Sequence, residues 1–295
     1  MLAYRFFQCF VFILYLFPYG WRKRFFIALA RLSYRFDRQR RRVIRQNLAF
    51  AYGGTLSEER IEAISRACFD NLALNMMRII ENHYSTPGQI AEKITYENRD
   101  IVEKVIAQGR PIVFSSAHFG LWELGAVALS SQLKPSMIVY KKIKNPYFQE
   151  YLIASRGHLG MTSVNTRGAV KAMVKRMREK GAIAIMTDIN TSRKDGVAVD
   201  FFGHPTLHPR TPAYLAAKFG AVIIPAFFHT YDGEHHIIRF HEPIESPNSG
   251  DEEADIREMT QRQAACVEAT VREQPELWFW CHRRWRTDYP EIYRR

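Results

Sequence analysis

The chain has 295 residues, 47% apolar and 24% charged, which excludes a disordered tail and a polytopic membrane protein. Its four cysteines (Cys9, Cys68, Cys266 and Cys281) form no C-x-x-C pair, so the spacing encodes neither a disulfide framework nor a zinc site, and a reducing compartment fits. The net charge of +12 calls for an anionic partner.

The first pattern along the chain is the run from Phe6 to Phe17, apolar except for Gln8 and stopped by Pro18. A helix over such a run reaches about 18 Å, short of the roughly 30 Å hydrocarbon core. No small-residue cleavage site follows, so residues 1–20 read as an uncleaved membrane anchor that dips into one leaflet. Residues 22–45 then carry ten Arg or Lys against Asp37 alone, +9 of the total charge. On a helical wheel Phe25, Leu29, Leu32 and Phe36 share one face, and Arg24, Arg31, Arg35 and Arg38 another. A basic amphipathic helix beside an apolar run is the pattern of docking on anionic lipid, with a core helix bearing an arginine-rich solvated face as the alternative. Basic flanks put the body on the cytoplasmic side. The remainder of the 21–105 segment reads as helical. Over 56–81, Ile61, Ile64, Cys68, Leu72 and Met76 recur at helical spacing behind a Thr55 or Ser57 cap.

Over 106–295 the pattern changes to short apolar runs alternating with helices. Strands are predicted at 111–117, 136–142, 181–187, 221–229 and 235–240, and helices at 121–132, 146–155, 168–179, 211–219 and 253–272. This is the signature of an α/β domain, a mostly parallel mixed sheet flanked by helices, whose ligands gather at the carboxyl ends of strands.

No phosphate-binding loop, G-x-G-x-x-G or G-x-S-x-G is present. His235, His236 and His241 fall together on a predicted strand and read as surface or edge histidines rather than metal ligands. The most informative stretch is Ser115-Ser-Ala-His-Phe-Gly-Leu-Trp-Glu-Leu-Gly125. His118 stands where a strand ends, and Glu123 lies in the first turns of the next helix, within reach of the imidazole. A carboxylate on one ring nitrogen makes the other a better proton acceptor. A helix-capping histidine beside a solvated glutamate is the competing reading, and spacing alone leaves both open.

The stretch His118-Phe-Gly-Leu-Trp-Glu123 resembles the H-x4-E motif of the lipid A late acyltransferases, a branch of the glycerolipid-acyltransferase-like enzymes. Val139-Tyr140 with Asn145-Pro146 and Arg156, Asp188 after a strand, Val199-Asp-Phe-Phe-Gly-His-Pro205 with Thr211-Pro212, and Pro275-Glu-Leu-Trp-Phe-Trp-Cys-His-Arg-Arg-Trp285 resemble the family's other blocks in order. Ile189, Leu277 and Lys141 depart from its usual residues. The resemblance implies a membrane-bound enzyme of the bacterial inner membrane, its catalytic domain on the cytoplasmic face. It would move a fatty acyl group from acyl carrier protein to a hydroxyl of an anionic lipid A precursor, with no metal or cofactor. His118 would be the general base and Glu123 its orienting acid. Arg156, Asp188 and Asn145 would bind substrate or the oxyanion. Trp122 and Phe202 would line an acyl channel, and Arg283 and Arg284 would contact lipid. Against those last roles, Trp278, Trp280 and Trp285 with their arginines also read as core closure. Another glycolipid, ornithine lipid or lysophospholipid is the alternative acceptor, and an inactive membrane scaffold the alternative class. Nucleic acid is disfavoured as a partner because aromatic residues do not alternate with arginine in the basic segment.

Overall fold

The computed structural model describes residues 2–232 and 234–294. Four helices lead: α1 (Leu2–Leu16), α2 (Tyr19–Phe36), α3 (Arg38–Ala51) and α4 (Glu58–Tyr84). Pro18 separates the first two, and Asp37 separates α2 from α3, its side chain accepting the Arg40 N–H at 2.8 Å. Of the two candidate caps for α4, Ser57 does the work, accepting the Arg60 N–H at 3.2 Å. The long α4 buries Ile61, Ile64, Cys68 and Phe69, and α2 lies along it through Phe26, Ala30 and Tyr34.

Of the segment 1–20 expected to dip into one leaflet, Met1 lies outside the described residues. Among the described residues no helix is long and apolar enough to cross a membrane. One face of α1 packs on the body, with Val11 fully buried against Ile79, Tyr151 and Leu152, while Phe6, Phe10, Phe12, Ile13 and Leu16 are exposed. The α2 face of Phe25, Leu29, Leu32 and Phe36 is 45–71% exposed, so α2 is not a core helix buried through that stripe.

Next come α5 (Pro87–Ala91), β1 (Ile94–Glu97), α6 (Arg99–Ala107), β2 (Ile112–Ser116), α7 (Trp122–Ala128), β3 (Ser136–Tyr140), α8 (Pro146–Gly157), β4 (Thr162–Asn165), α9 (Ala169–Arg178) and β5 (Ala182–Met186). A hairpin of β6 (Gly196–Phe201) and β7 (His204–Pro209) follows, then α10 (Thr211–Phe219), β8 (Val222–His229), β9 (His236–Phe240) and α11 (Glu252–Glu273). The seven-stranded sheet runs β1-β9-β8-β2-β5-β3-β4, parallel throughout except where β9 meets β8. Its centre, β2 and β8, is buried on both faces, as parallel sheets between helix layers require.

The mixed, mostly parallel α/β sheet is as the alternation predicted, and all five expected strands are present. The sheet's two further strands, β1 and β4, are short and largely unburied, β4 reading Thr-Ser-Val-Asn, so neither carries a strong apolar signal. The histidine expectation fails at His236. Because β1 covers β9, His236 is buried and bonded to Arg78 at 3.0 Å, whereas His235 remains exposed. Among the described residues no group of His, Cys, Asp or Glu is placed to hold a metal ion.

Candidate active site

The site is set by register. Adjacent parallel strands β2 and β5 pair Ser116 with Met186, so the residues two positions beyond each end, His118 and Asp188, come face to face at the sheet's carboxyl edge. The imidazole Nδ1 lies 3.0 Å from Asp188 Oδ1. The His118 main-chain N–H donates to Asp188 Oδ2 at 2.9 Å, and the Trp278 indole N–H donates to the same oxygen at 2.8 Å. Asp188 is buried, which opposes ionisation, but the His118 interaction and these donors outweigh burial and draw its carboxyl down to about 2. An ionised carboxylate only accepts, so Nδ1 carries the proton and Nε2 is left as the basic nitrogen. Burial disfavours the imidazolium, yet Asp188, with a smaller contribution from Glu123, raises the His118 pKa above its usual value. The imidazole side chain keeps 29% of its surface exposed, between the rings of Trp122 and Phe279 at 5.4 and 6.0 Å.

The backbone that delivers His118 depends on two glycines. Gly120 has φ +59°, and a Cβ there would meet the Phe228 carbonyl oxygen at 1.7 Å; one on Gly125 would meet the Phe228 ring at 2.0 Å. The chain can therefore fold back across β8 into α7 only with glycine at both positions.

The expected His118–Glu123 hydrogen bond is replaced by another pairing. Glu123 points to the last turn of α8, where Arg156 grips it with Nε at 3.2 Å and Nη2 at 2.7 Å. Both side chains are largely buried, at 7% and 12% exposure. The physical reason lies in position: five residues after His118, Glu123 is already in α7, its own N–H donating to Asn75 at 3.1 Å. Asp188, across the register, reaches the ring first.

Other expected site residues also fall elsewhere. Asn145 is an exposed N-cap, accepting the N–H groups of Tyr147 and Phe148, which accounts for it without substrate. Phe202 is buried against Trp278, Trp280 and Trp285, so it lines the core rather than an acyl channel. Arg284 is 1% exposed and bonded to His208 at 2.6 Å, so it cannot contact lipid from the surface. Arg283, its neighbour, is half-buried over the Tyr293 ring.

Three contributions were not read from sequence: the Trp278 N–H, the Phe279 wall, and the strap they belong to. The strap's main chain crosses the site, Gly120 donating to the Leu277 carbonyl and Phe279 to the His118 carbonyl, each at 2.9 Å. Repeated indoles beside a block matching the family were the available signal, but tryptophan fits a core equally well.

A histidine held by a buried acid at the carboxyl edge of a mixed α/β sheet is the arrangement of a candidate general base. Comparison with known proteins places the chain more closely. Residues 2–287 match the model of the bacterial lipid A biosynthesis acyltransferases, and the chain belongs to that family. It is 24% identical to the lipid A biosynthesis lauroyltransferase of Escherichia coli over 92% of this chain and 87% of that one. Against the phosphatidylinositol mannoside acyltransferase of Mycolicibacterium smegmatis it is 25% identical over 68% of this chain, a match spanning 65% of that relative's length. A lipid A biosynthesis acyltransferase of Haemophilus influenzae is 27% identical over 60% of this chain and 56% of that one.

Proposed function

We propose that the protein transfers a fatty acyl group from a carrier-bound thioester to a hydroxyl of a membrane glycolipid, with a lipid A precursor as the acceptor. The observation that carries this reading is His118, its Nδ1 held by Asp188 and its Nε2 open between two apolar rings. Nε2 takes the acceptor hydroxyl's proton as that oxygen attacks the thioester carbonyl. The C–S bond then breaks, and the imidazolium returns the proton to the departing thiolate. Asp188 stabilises the imidazolium between these steps. Glu123 acts through Arg156: with Nε and Nη2 engaged, it aims Nη1 of that guanidinium as a donor for the developing oxyanion or a substrate phosphate. Trp122 and Phe279 give the acyl chain an apolar wall beside the reacting centre.

The charge excess supports two anionic partners at two places. Loops leaving the carboxyl ends of β3, β4 and β5 carry Lys141, Lys142, Lys144, Arg167, Arg193 and Lys194, all exposed, with no acid in 141–145, 166–168 or 189–194. A cationic rim beside His118 suits an acidic acyl carrier protein as donor. The apolar stripe of α2, flanked by Arg24, Arg31 and Arg35, suits the cytoplasmic surface of the inner membrane. Whole-lipid mass spectrometry with and without the gene tests the reading. It should show loss of a glycolipid and gain of a species lighter by one fatty acyl group; an unchanged lipid profile refutes it.

A further inference from the structure

The arginines of α3 do more than decorate a surface. Arg38 and Arg42, one turn apart on the same helix face, open with Arg283 onto a cavity of about 410 Å³ whose wall also includes Val43, Gln46 and Tyr293. No acid lines it, and among the described residues none of the three guanidinium groups makes an ion pair. A second cavity of about 440 Å³ shares Arg38, Arg42 and Gln46. Three unneutralised arginines around one recess repel one another unless an anion enters, and their planar forks match phosphate oxygens better than lysine would.

The recess is also firmly built. Buried Asn47, on α3, donates to the main-chain carbonyls of Trp280 and His282, each at 2.7 Å, and accepts the Tyr293 hydroxyl at 2.6 Å. These bonds fix α3 to the same strap that delivers Trp278 to Asp188, and Arg283 is the next residue along it. At its other end, α3 follows α2 directly. Phe36, 71% exposed, stands two residues before Arg38. If the α2 stripe enters the acyl layer, Arg38 and Arg42 come to the depth of lipid phosphates.

We propose that the Arg38–Arg42–Arg283 recess is a binding site for a phosphate monoester on a lipid headgroup, distinct from the diffuse attraction of α2 to anionic membrane. The identity of its ligand as lipid rests on the glycolipid-acceptor reading above; the test reads binding alone, so failure of the transfer mechanism leaves it standing. The full chain is sedimented with vesicles of phosphatidylcholine containing either phosphatidate (a monoester) or phosphatidylglycerol (a diester) at matched surface charge. Phosphatidate vesicles should bind about tenfold more tightly. Arg42→Gln with Arg283→Gln should erase that difference while keeping phosphatidylglycerol binding and the thermal midpoint. Arg24→Gln with Arg35→Gln should weaken both vesicle types alike. Equal binding at matched charge overturns the site, as does an R42Q/R283Q chain that folds normally and retains the preference. Inorganic phosphate that binds without vesicles as tightly as phosphatidate overturns the lipid assignment.

Discussion

Asp188 grips His118 twice, accepting a hydrogen bond from the imidazole Nδ1 at 3.0 Å and another from the same residue's main-chain N–H at 2.9 Å. One carboxylate therefore fixes both the ring's tautomer and the backbone that presents it, while Trp278 fixes the carboxylate.

Replacing Asp188 by Asn should be severe for a specific reason. The His118 and Trp278 N–H groups both donate to Oδ2, so an asparagine carbonyl must stay there and its NH2 must face Nδ1. Nδ1 then accepts, and the proton moves to Nε2, where the base is needed. Turnover should fall on the order of 10³–10⁴-fold with the fold intact, checked by steady-state kinetics and near-ultraviolet circular dichroism.

The pH profile follows from the same pair. The base must be neutral, and Asp188 raises the imidazole pKa against the opposing effect of burial, so kcat/KM should climb with pH through a value above 6.5. Asp188, drawn down to about 2, stays ionised across that window and adds no limb of its own. Removing it in Asp188→Asn leaves burial to dominate and should shift the limb of the residual activity to lower pH. A limb that stays in place in the variant would detach the titration from this pair.

Glu123 and Arg156 form a largely buried pair, so cutting one partner strands a charge. Arg156→Met should cost about 3 kcal/mol of stability by denaturant titration. Adding Glu123→Gln should restore part of it. Turnover should remain low in both, because the donor aimed by Glu123 is gone in each.

Reversing charge on the carboxyl-edge loops should separate donor docking from chemistry. Lys144→Glu with Arg193→Glu should raise KM for a carrier-bound thioester about tenfold, with little change in kcat. A small soluble thioester should be used as well as before. Raising salt should weaken the carrier reaction more than the small-thioester reaction in the wild-type chain.

Much of the sheet was legible because its central strands are built on apolar runs, 112–114 and 222–228 among them. Edge strand β4, mostly polar, carried no such signal, and the β6–β7 hairpin turns through Phe202 and Gly203 at positive φ, where phenylalanine gives no turn signal. His118 was legible as the candidate base, from its place at a strand end in a recognisable block. Its partner was not. Sequence proximity favoured Glu123, whereas the register between strands seventy residues apart supplied Asp188. Phe202 and Arg284 drew attention because aromatic and cationic residues suit a lipid, yet packing decided their place, and it put both inside.

The most direct measurement compares single-turnover acyl transfer, from a carrier-bound thioester to a purified lipid A precursor, in the wild-type chain and in His118→Ala. A loss of about 10³-fold or more at unchanged thermal midpoint is expected if Nε2 is the base. Transfer by the folded variant within a few-fold of wild type would contradict it.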